Sequence, residues 1–251
     1  MGRRLGQHFL VRKSILERIA SAACPEFQPS VVEIGAGRGE LTQYLLPRAA
    51  KVVAIETDPV LVEQLRSRLG AFPGLMLVEG DVLEIDLGQW SPAVIVGNLP
   101  YYISSPILRK ILALGPLLRH AVLLLQKEFA GRLVAGPGSR RYGFVSVETQ
   151  LSAIPEILFH VKASAFRPPP KVDSSVVRLR PRQLAPPLEV QDMAKFLDFA
   201  KRCFRCKRKT LRNNLAQCYE RSALDSCAEA TLRAEQLSIE QLAQLFRHLE
   251  R

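Results

Sequence analysis

The chain has 251 residues, 47% of them hydrophobic, enough for one large domain or a large and a small one with a sizeable core. No stretch approaches the roughly 20 apolar residues that span a bilayer, and the opening MGRRLGQHFLVRKS has no apolar signal-peptide core, so no membrane segment and no signal peptide are expected and a cytoplasmic location is. A net charge of +11 points to a polyanionic partner. Yet residues 51–100 carry 3 basic and 7 acidic side chains against 32 and 17 elsewhere, which suits a basic nucleic-acid surface around a site for something cationic or rich in hydroxyls.

In chain order, helical spacing over 13–23 is followed by a short apolar run, Val31–Ile34, that reads as a buried strand. The strand ends in Gly35-Ala36-Gly37-Arg38-Gly39, and a helix is predicted over 39–47. This GxGxG turn is neither the GxGxxG dinucleotide fingerprint nor a Walker A loop, and alone it could be only a tight strand-to-helix connection. A second strand, Val52–Ile55, closes on Glu56, placed to accept both hydroxyls of a ribose. After a helix over 59–69, a third strand, Leu75–Val78, leads to Asp81, which could accept an adenine amino group. Each acid by itself could be a solvated loop residue. In register on three successive strand ends, the glycine turn, Glu56 and Asp81 outline an adenosine-bearing ligand.

The fourth strand, Ala93–Val96, stops at Gly97-Asn98-Leu99-Pro100-Tyr101-Tyr102. Gly, Asn and Pro make turns, but the same residues can line a pocket for a flat polar group. Further elements follow: a helix over 104–114, a strand at Ala121–Leu125, helices over 127–134 and 143–152, and strands at Glu156–Val161 and Val172–Leu179. Alternating strands and helices mean a mostly parallel sheet of about seven strands. A Pro-rich linker, 181–188, precedes a region without strands. There Leu197, Phe204, Leu211 and Leu215 share a helical stripe, and Ser238 with Gln241 forms a capping box before a last amphipathic helix. Of five cysteines, Cys203 and Cys206 form a CxxC, but no second ligand pair lies near, so both are read as small helix residues and no metal is expected.

The Glu33-x-Gly35-x-Gly37-x-Gly39 loop, strand-end Glu56 and Gly80-Asp81 resemble the class I S-adenosylmethionine-dependent methyltransferases. On that resemblance the fourth strand end is the catalytic position, and Asn98 to Tyr101 resembles the motif of enzymes that methylate exocyclic amino groups. An adenine N6 is a poor nucleophile because its lone pair is delocalised into the ring. Acceptors at the Asn98 side chain and the Pro100 carbonyl would orient it and stabilise developing positive charge. Tyr101 would stack on the base; Phe166, on a Pro-stiffened loop, would supply the second aromatic face, although a core Phe at the base of a loop would look the same; Tyr102 takes no role in the site and is expected to pack.

The stretches LGQHFL at 5–10, EIGAGRGELT at 33–42, NLPYYISSPIL at 98–108, QKEFAGRL at 126–133, YGFVSV at 142–147, FRPPPKVDSSVVRL at 166–179 and KRKTLRNNL at 207–215 together resemble the ribosomal RNA adenine dimethyltransferases, in particular their bacterial small-subunit type. The resemblance implies an α/β, Rossmann-like class I methyltransferase domain over 1–180 and a small all-helical domain over 181–251 that binds RNA or the subunit. It implies that Gln7-His8-Phe9-Leu10 closes over S-adenosyl-L-methionine, with His8 and Leu10 touching it. Gly35 and Gly37 would lie against the cofactor, Glu56 at its ribose and Asp81 with Val82 at its adenine, with Asn98 near it as well. The substrate would be two adjacent adenines in a hairpin loop near the 3′ end of 16S ribosomal RNA, in a small-subunit precursor. Each adenine would be dimethylated at N6, releasing S-adenosyl-L-homocysteine. The chain is expected to be a monomer with no membrane partner.

The stretch 201–212 has 7 basic residues in 12 and no acid, which reads as a phosphate surface made by Arg202, Arg205, Lys207, Arg208, Lys209 and Arg212, extended by Arg140, Arg141 and Lys171. A solvated helix face would look similar. Two other readings stay open: a relative that methylates an adenine of large-subunit RNA, and a non-catalytic assembly factor on the same fold.

Overall fold

The computed structural model describes residues 8–182 and 193–250. Gln7 and most of the expected Pro-rich linker lie outside them. Contacts divide the chain into two units: residues up to Ala130 with Ala153–Pro181, and Gly131–Ser152 with the described residues from Arg182 onward. The helical unit thus takes in a segment from before the expected boundary at 180/181. Tyr142 and Val147 are buried in one cluster with Phe196, Phe199, Leu211 and Leu242, so the apolar face of that segment is covered by the C-terminal helices.

In the first unit, the sheet runs β4 (Leu75–Glu79), β3 (Ala49–Glu56), β2 (Gln28–Ile34), β5 (Ala93–Asn98), β6 (Leu118–Gln126), β9 (Ser174–Pro181), β7 (Ala153–Val161). The first five strands are parallel; β9 is antiparallel to both neighbours. Val31, Val32, Val52, Val53, Val94, Ile95, Val122 and Leu123 are all completely buried, as continuous apolar runs predict for strands covered on both faces. Such a side chain contributes about 1.5–3 kcal/mol through burial.

Helix α1 (Lys13–Ala23) turns Leu16, Ile19, Ala20 and Ala23 inward. Helix α3 (Pro59–Leu69) starts where expected, because Asp58 accepts from Val60 N at 2.9 Å and Pro59 is preset for the first turn. The helix expected over 39–47 is shorter: α2 spans Thr42–Leu45 and passes into a 3₁₀ turn, Leu46–Arg48. Pro47 has no N–H to continue the α-helical ladder.

The strand order reverses between β2 and β5, where open α/β sheets bind ligands. Ile34 is in register with Gly97 there, and a β-carbon on Gly97 would lie 2.5 Å from the Ile34 carbonyl oxygen. Only glycine lets the two strands approach at that level, so the glycine turn and Asn98 leave the sheet side by side. One element was not predicted: β1 (Phe9–Leu10) pairs antiparallel with β8 (Phe166–Arg167), bringing the start of the described chain across this edge.

Candidate active site

A cavity at the carboxyl ends of β2–β5 is lined by residues of all four strand ends and by His8–Leu10. Gly35, Gly37 and Gly39 have φ of +73°, +58° and +83°, a region that favours glycine. A β-carbon on Gly39 would also lie 2.5 Å from Leu65 Cδ1, so the packed leucine would have to shift. Glu56 is buried, and its carboxylate accepts from Gly37 N at 2.8 Å, Thr57 N at 2.9 Å and Asp58 N at 3.0 Å. These bonds aim Glu56 and close the glycine turn at once. Asp81 Oδ1 accepts from Leu83 N at 2.9 Å, while Oδ2 has no partner among the described residues. Val82 lines the cavity beside it. A flexed glycine turn, a carboxylate for hydroxyls, an open carboxylate oxygen for an amine and apolar walls fit a nucleoside-bearing cofactor, so Gly35, Gly37, Glu56, Asp81 and Val82 meet where expected.

Glu33 was passed over as a site residue. It lines the same cavity, buried on β2, and donors to it are few: the Thr42 hydroxyl bonds Oε2 at 2.6 Å. Burial pushes its carboxyl up to about 8, the Glu40 and Glu56 carboxylates add to the rise, and the Thr42 bond opposes it. A charged residue inside an otherwise apolar strand run was the available signal.

Asn98 Nδ2 donates to the His8 carbonyl at 2.9 Å. A carbonyl only accepts, so the amide must present its NH₂ to His8 and its oxygen elsewhere. That oxygen has no partner among the described residues. The His8 ring donates from Nδ1 to the Pro168 carbonyl at 2.8 Å and lies beside the Tyr101 ring, centroids 6.1 Å apart and planes 29° from parallel. Tyr101 is anchored by a 2.8 Å bond between its hydroxyl and Ser174 Oγ, and burial raises its phenol above the usual range. Tyr101 is therefore a neutral plate.

Three expectations are corrected. The Pro100 carbonyl already accepts from Ile103 N at 3.2 Å and Ser104 Oγ at 3.0 Å, which fills both lone pairs in starting the 3₁₀ turn Tyr101–Ile103 that leads into helix α4 (Ser104–Leu112). The adjacent Leu99 carbonyl accepts no bond among the described residues, so it is the acceptor left beside Asn98. Phe166 presents no stacking face: it has no exposed surface and packs with Leu10, Leu16, Val161 and Val176. Strand pairing with Leu10 turns its ring into the core. Tyr102, by contrast, is not packed; it is 65% exposed at the cavity rim.

In the helical unit, helix α7 (Met193–Cys203) runs into the basic stretch. Lys207 Nζ donates to the Arg140 carbonyl at 3.2 Å and the Tyr142 carbonyl at 3.1 Å, which joins the two basic segments into one surface. Buried Asn214 fixes the turn between them and the next helix: it donates to the Cys203 and Cys206 carbonyls and accepts from Cys206 N. Arg202 is paired with Asp198 at 2.6 Å and Arg212 with Asp225 at 2.8 Å, while Arg205 reaches Gln217 at 3.4 Å. Arg140, Arg141, Arg208 and Lys209 are exposed, with no side-chain partner among the described residues. Lys171 is exposed on the first unit. Cys203 is buried at the end of α7 and Cys206 is exposed beyond it; both are free thiols, and among the described residues no group of three or more His, Cys, Asp or Glu is placed to hold a metal.

Residues 2–251 match the ribosomal RNA adenine dimethylase family. "Ribosomal RNA small subunit methyltransferase A" of Acidobacterium capsulatum is 41% identical over 98% of this chain and 90% of that relative. Among solved structures, a dimethyladenosine transferase from Plasmodium falciparum superposes with a TM-score of 0.83 at 27% identity, over 97% of this chain and 98% of that one. The 23S rRNA methyltransferase ErmE gives 0.75 at 30% identity, over 97% and 100%. With a family match across nearly every residue, and the glycine turn, Glu56, Asp81 and Asn98 gathered at one sheet edge, the chain belongs to the ribosomal RNA adenine dimethylase family.

Proposed function

We propose that this protein transfers methyl groups from S-adenosyl-L-methionine to the N6 amino groups of two adjacent adenines in a hairpin loop near the 3′ end of 16S ribosomal RNA, dimethylating each on a small-subunit precursor in the cytoplasm. The observation that carries the reading is the Asn98 amide, oriented by His8 so that its oxygen stays open at the switch point of the sheet. The 41% identity to a small-subunit methyltransferase supports the choice of RNA.

When bound, the cofactor supplies an electrophilic methyl group. Glu56, whose Oε2 keeps one lone pair, would accept from a ribose hydroxyl, Asp81 would accept from the adenine amine, and the glycine turn would let backbone approach closely. At the target, the Asn98 oxygen and the Leu99 carbonyl accept the two amine hydrogens in the first transfer, and one of them accepts the single hydrogen left for the second. They turn the nitrogen lone pair out of ring conjugation and stabilise the positive charge that grows on it. Tyr101 holds the base plane, which requires an adenine splayed out of its stack. No protein base is required, because the methylated nitrogen loses its extra proton readily to water. The exposed Arg140, Arg141, Arg208 and Lys209 neutralise RNA phosphates.

Purified protein, radiolabelled S-adenosylmethionine and small subunits from cells lacking the modification test the reading. Four methyl groups per 16S RNA are expected. Labelling of large-subunit RNA instead would move the substrate to the ErmE type, and cofactor binding without transfer to any RNA would leave a non-catalytic assembly factor.

A further inference from the structure

Residues 8–10 touch three parts of the site at once. Phe9 and Leu10 pair with Arg167 and Phe166, the His8 carbonyl orients Asn98, and the Phe9 ring lies on the glycine turn. The last contact is close: a β-carbon on Gly37 would sit 3.2 Å from Phe9 Cε1. On the same ring, Arg38 places its guanidinium carbon 4.6 Å from the centroid. Arg38 is exposed, and its backbone is steadied by Arg68 Nη1, which donates to the Arg38 carbonyl at 3.0 Å. The strap is therefore pinned to the cofactor loop by one cation–π contact, with Gly37 beneath the ring and Arg38 against it.

We propose that Arg38 is a positioning residue that acts through Phe9: it seats residues 8–10 over the cofactor site, slowing cofactor escape and keeping the Asn98 amide pointed by His8. This rests on the methyl-transfer reading above. Loss of Arg38 frees the Phe9 ring, the strap opens more often, and the His8 carbonyl leaves Asn98 for part of the time. Both cofactor retention and amine orientation then decline together, although Arg38 touches neither reacting group.

The test is a double-substitution cycle on the RNA-free protein, with the dissociation rate of S-adenosylhomocysteine as the readout. Arg38→Ala and Phe9→Leu should each speed release about two- to fivefold, the size of an exposed cation–π contact. The double variant should be no faster than the worse single, because both remove one contact. Arg38→Lys should recover part of the loss by keeping a cation on the ring. At saturating S-adenosylmethionine, Arg38→Ala should also lower the single-turnover methylation rate. An unchanged release rate in Arg38→Ala, or additive effects in the double variant, overturns the proposal. A raised KM for the subunit with normal release would make Arg38 a phosphate contact and overturn it too. Wild-type protein that binds no S-adenosylhomocysteine would instead defeat the functional reading itself.

Discussion

Asn98 spends its NH₂ on His8 and keeps its oxygen open, so it should matter to transfer far more than to cofactor binding. Asn98→Ala is expected to leave S-adenosylhomocysteine affinity within about threefold and to reduce the methylation rate by at least about 10²-fold, as for removal of one preorganised polar group at a reacting centre. Calorimetry alongside single-turnover labelling checks this; lost binding with retained turnover would reverse the role. Glu33 makes a pH prediction. Its carboxyl rises from 4.5 to about 8, so between those values the folded chain holds a proton that the unfolded chain has released. Its contribution to stability is present at low pH and is lost as pH rises through that window. Glu33→Gln should remove this loss, and urea unfolding at a series of pH values should show the variant gaining on the wild type toward pH 8, by an amount on the order of a few kcal/mol. Parallel pH curves for the two proteins would refute the assignment.

Strand and helix positions were legible because they depend on neighbours in sequence. Apolar runs marked the five parallel strands of the large sheet, strand candidates at 156–161 and 172–179 fall on β7 and β9, and Asp58-Pro59 marked the start of α3. What local pattern does not carry is pairing at long range. The β1–β8 ladder joins residues nearly the whole domain apart, and two-residue strands have no periodicity to read. Phe166 was misjudged for that reason: its Pro-rich neighbourhood suggested a loop, whereas the ladder buries its ring. Gly97 belongs to this scale as well. Gly97→Ala would push a methyl group to 2.5 Å from the Ile34 carbonyl oxygen, a backbone atom that cannot swing away. Separation of β2 from β5 should destabilise the fold by about 1–3 kcal/mol and lower the methylation rate, since Asn98 moves with β5. A thermal midpoint equal to that of wild type would contradict the close approach.

Across the whole molecule, charge divides the labour. The acidic stretch 51–100 supplies Glu56 and Asp81 to the cavity, and the excess of basic residues lies elsewhere in the chain. Within the helical unit the basic residues are not equivalent. Arg202 and Arg212 are engaged with Asp198 and Asp225, and Lys207 ties the 140–142 loop to the basic turn, while Arg208 and Lys209 face solvent. The Arg208→Ala, Lys209→Ala double variant should therefore bind small subunits with a salt dependence shallower by about 1–2 in the slope of log K against log salt, at about 0.7–0.9 per phosphate contact. Arg202→Ala should change the slope less. Equal slopes for wild type and the double variant would remove both residues from the RNA surface.

The sequence by itself determined the fold class, the strand ends that line the cavity and the family, because turn chemistry, strand-end acids and ordered motifs are local and survive without coordinates. Tertiary structure decided which polar groups keep open hydrogen-bond capacity at the cavity. The Asn98 amide takes its direction from a carbonyl 90 residues away, Pro100 is removed as an acceptor by the 3₁₀ turn it starts, and Phe166 goes to the core. Hydrogen-bond capacity is finite: a carbonyl with both lone pairs filled is closed to substrate, and only the folded neighbourhood shows which groups remain open.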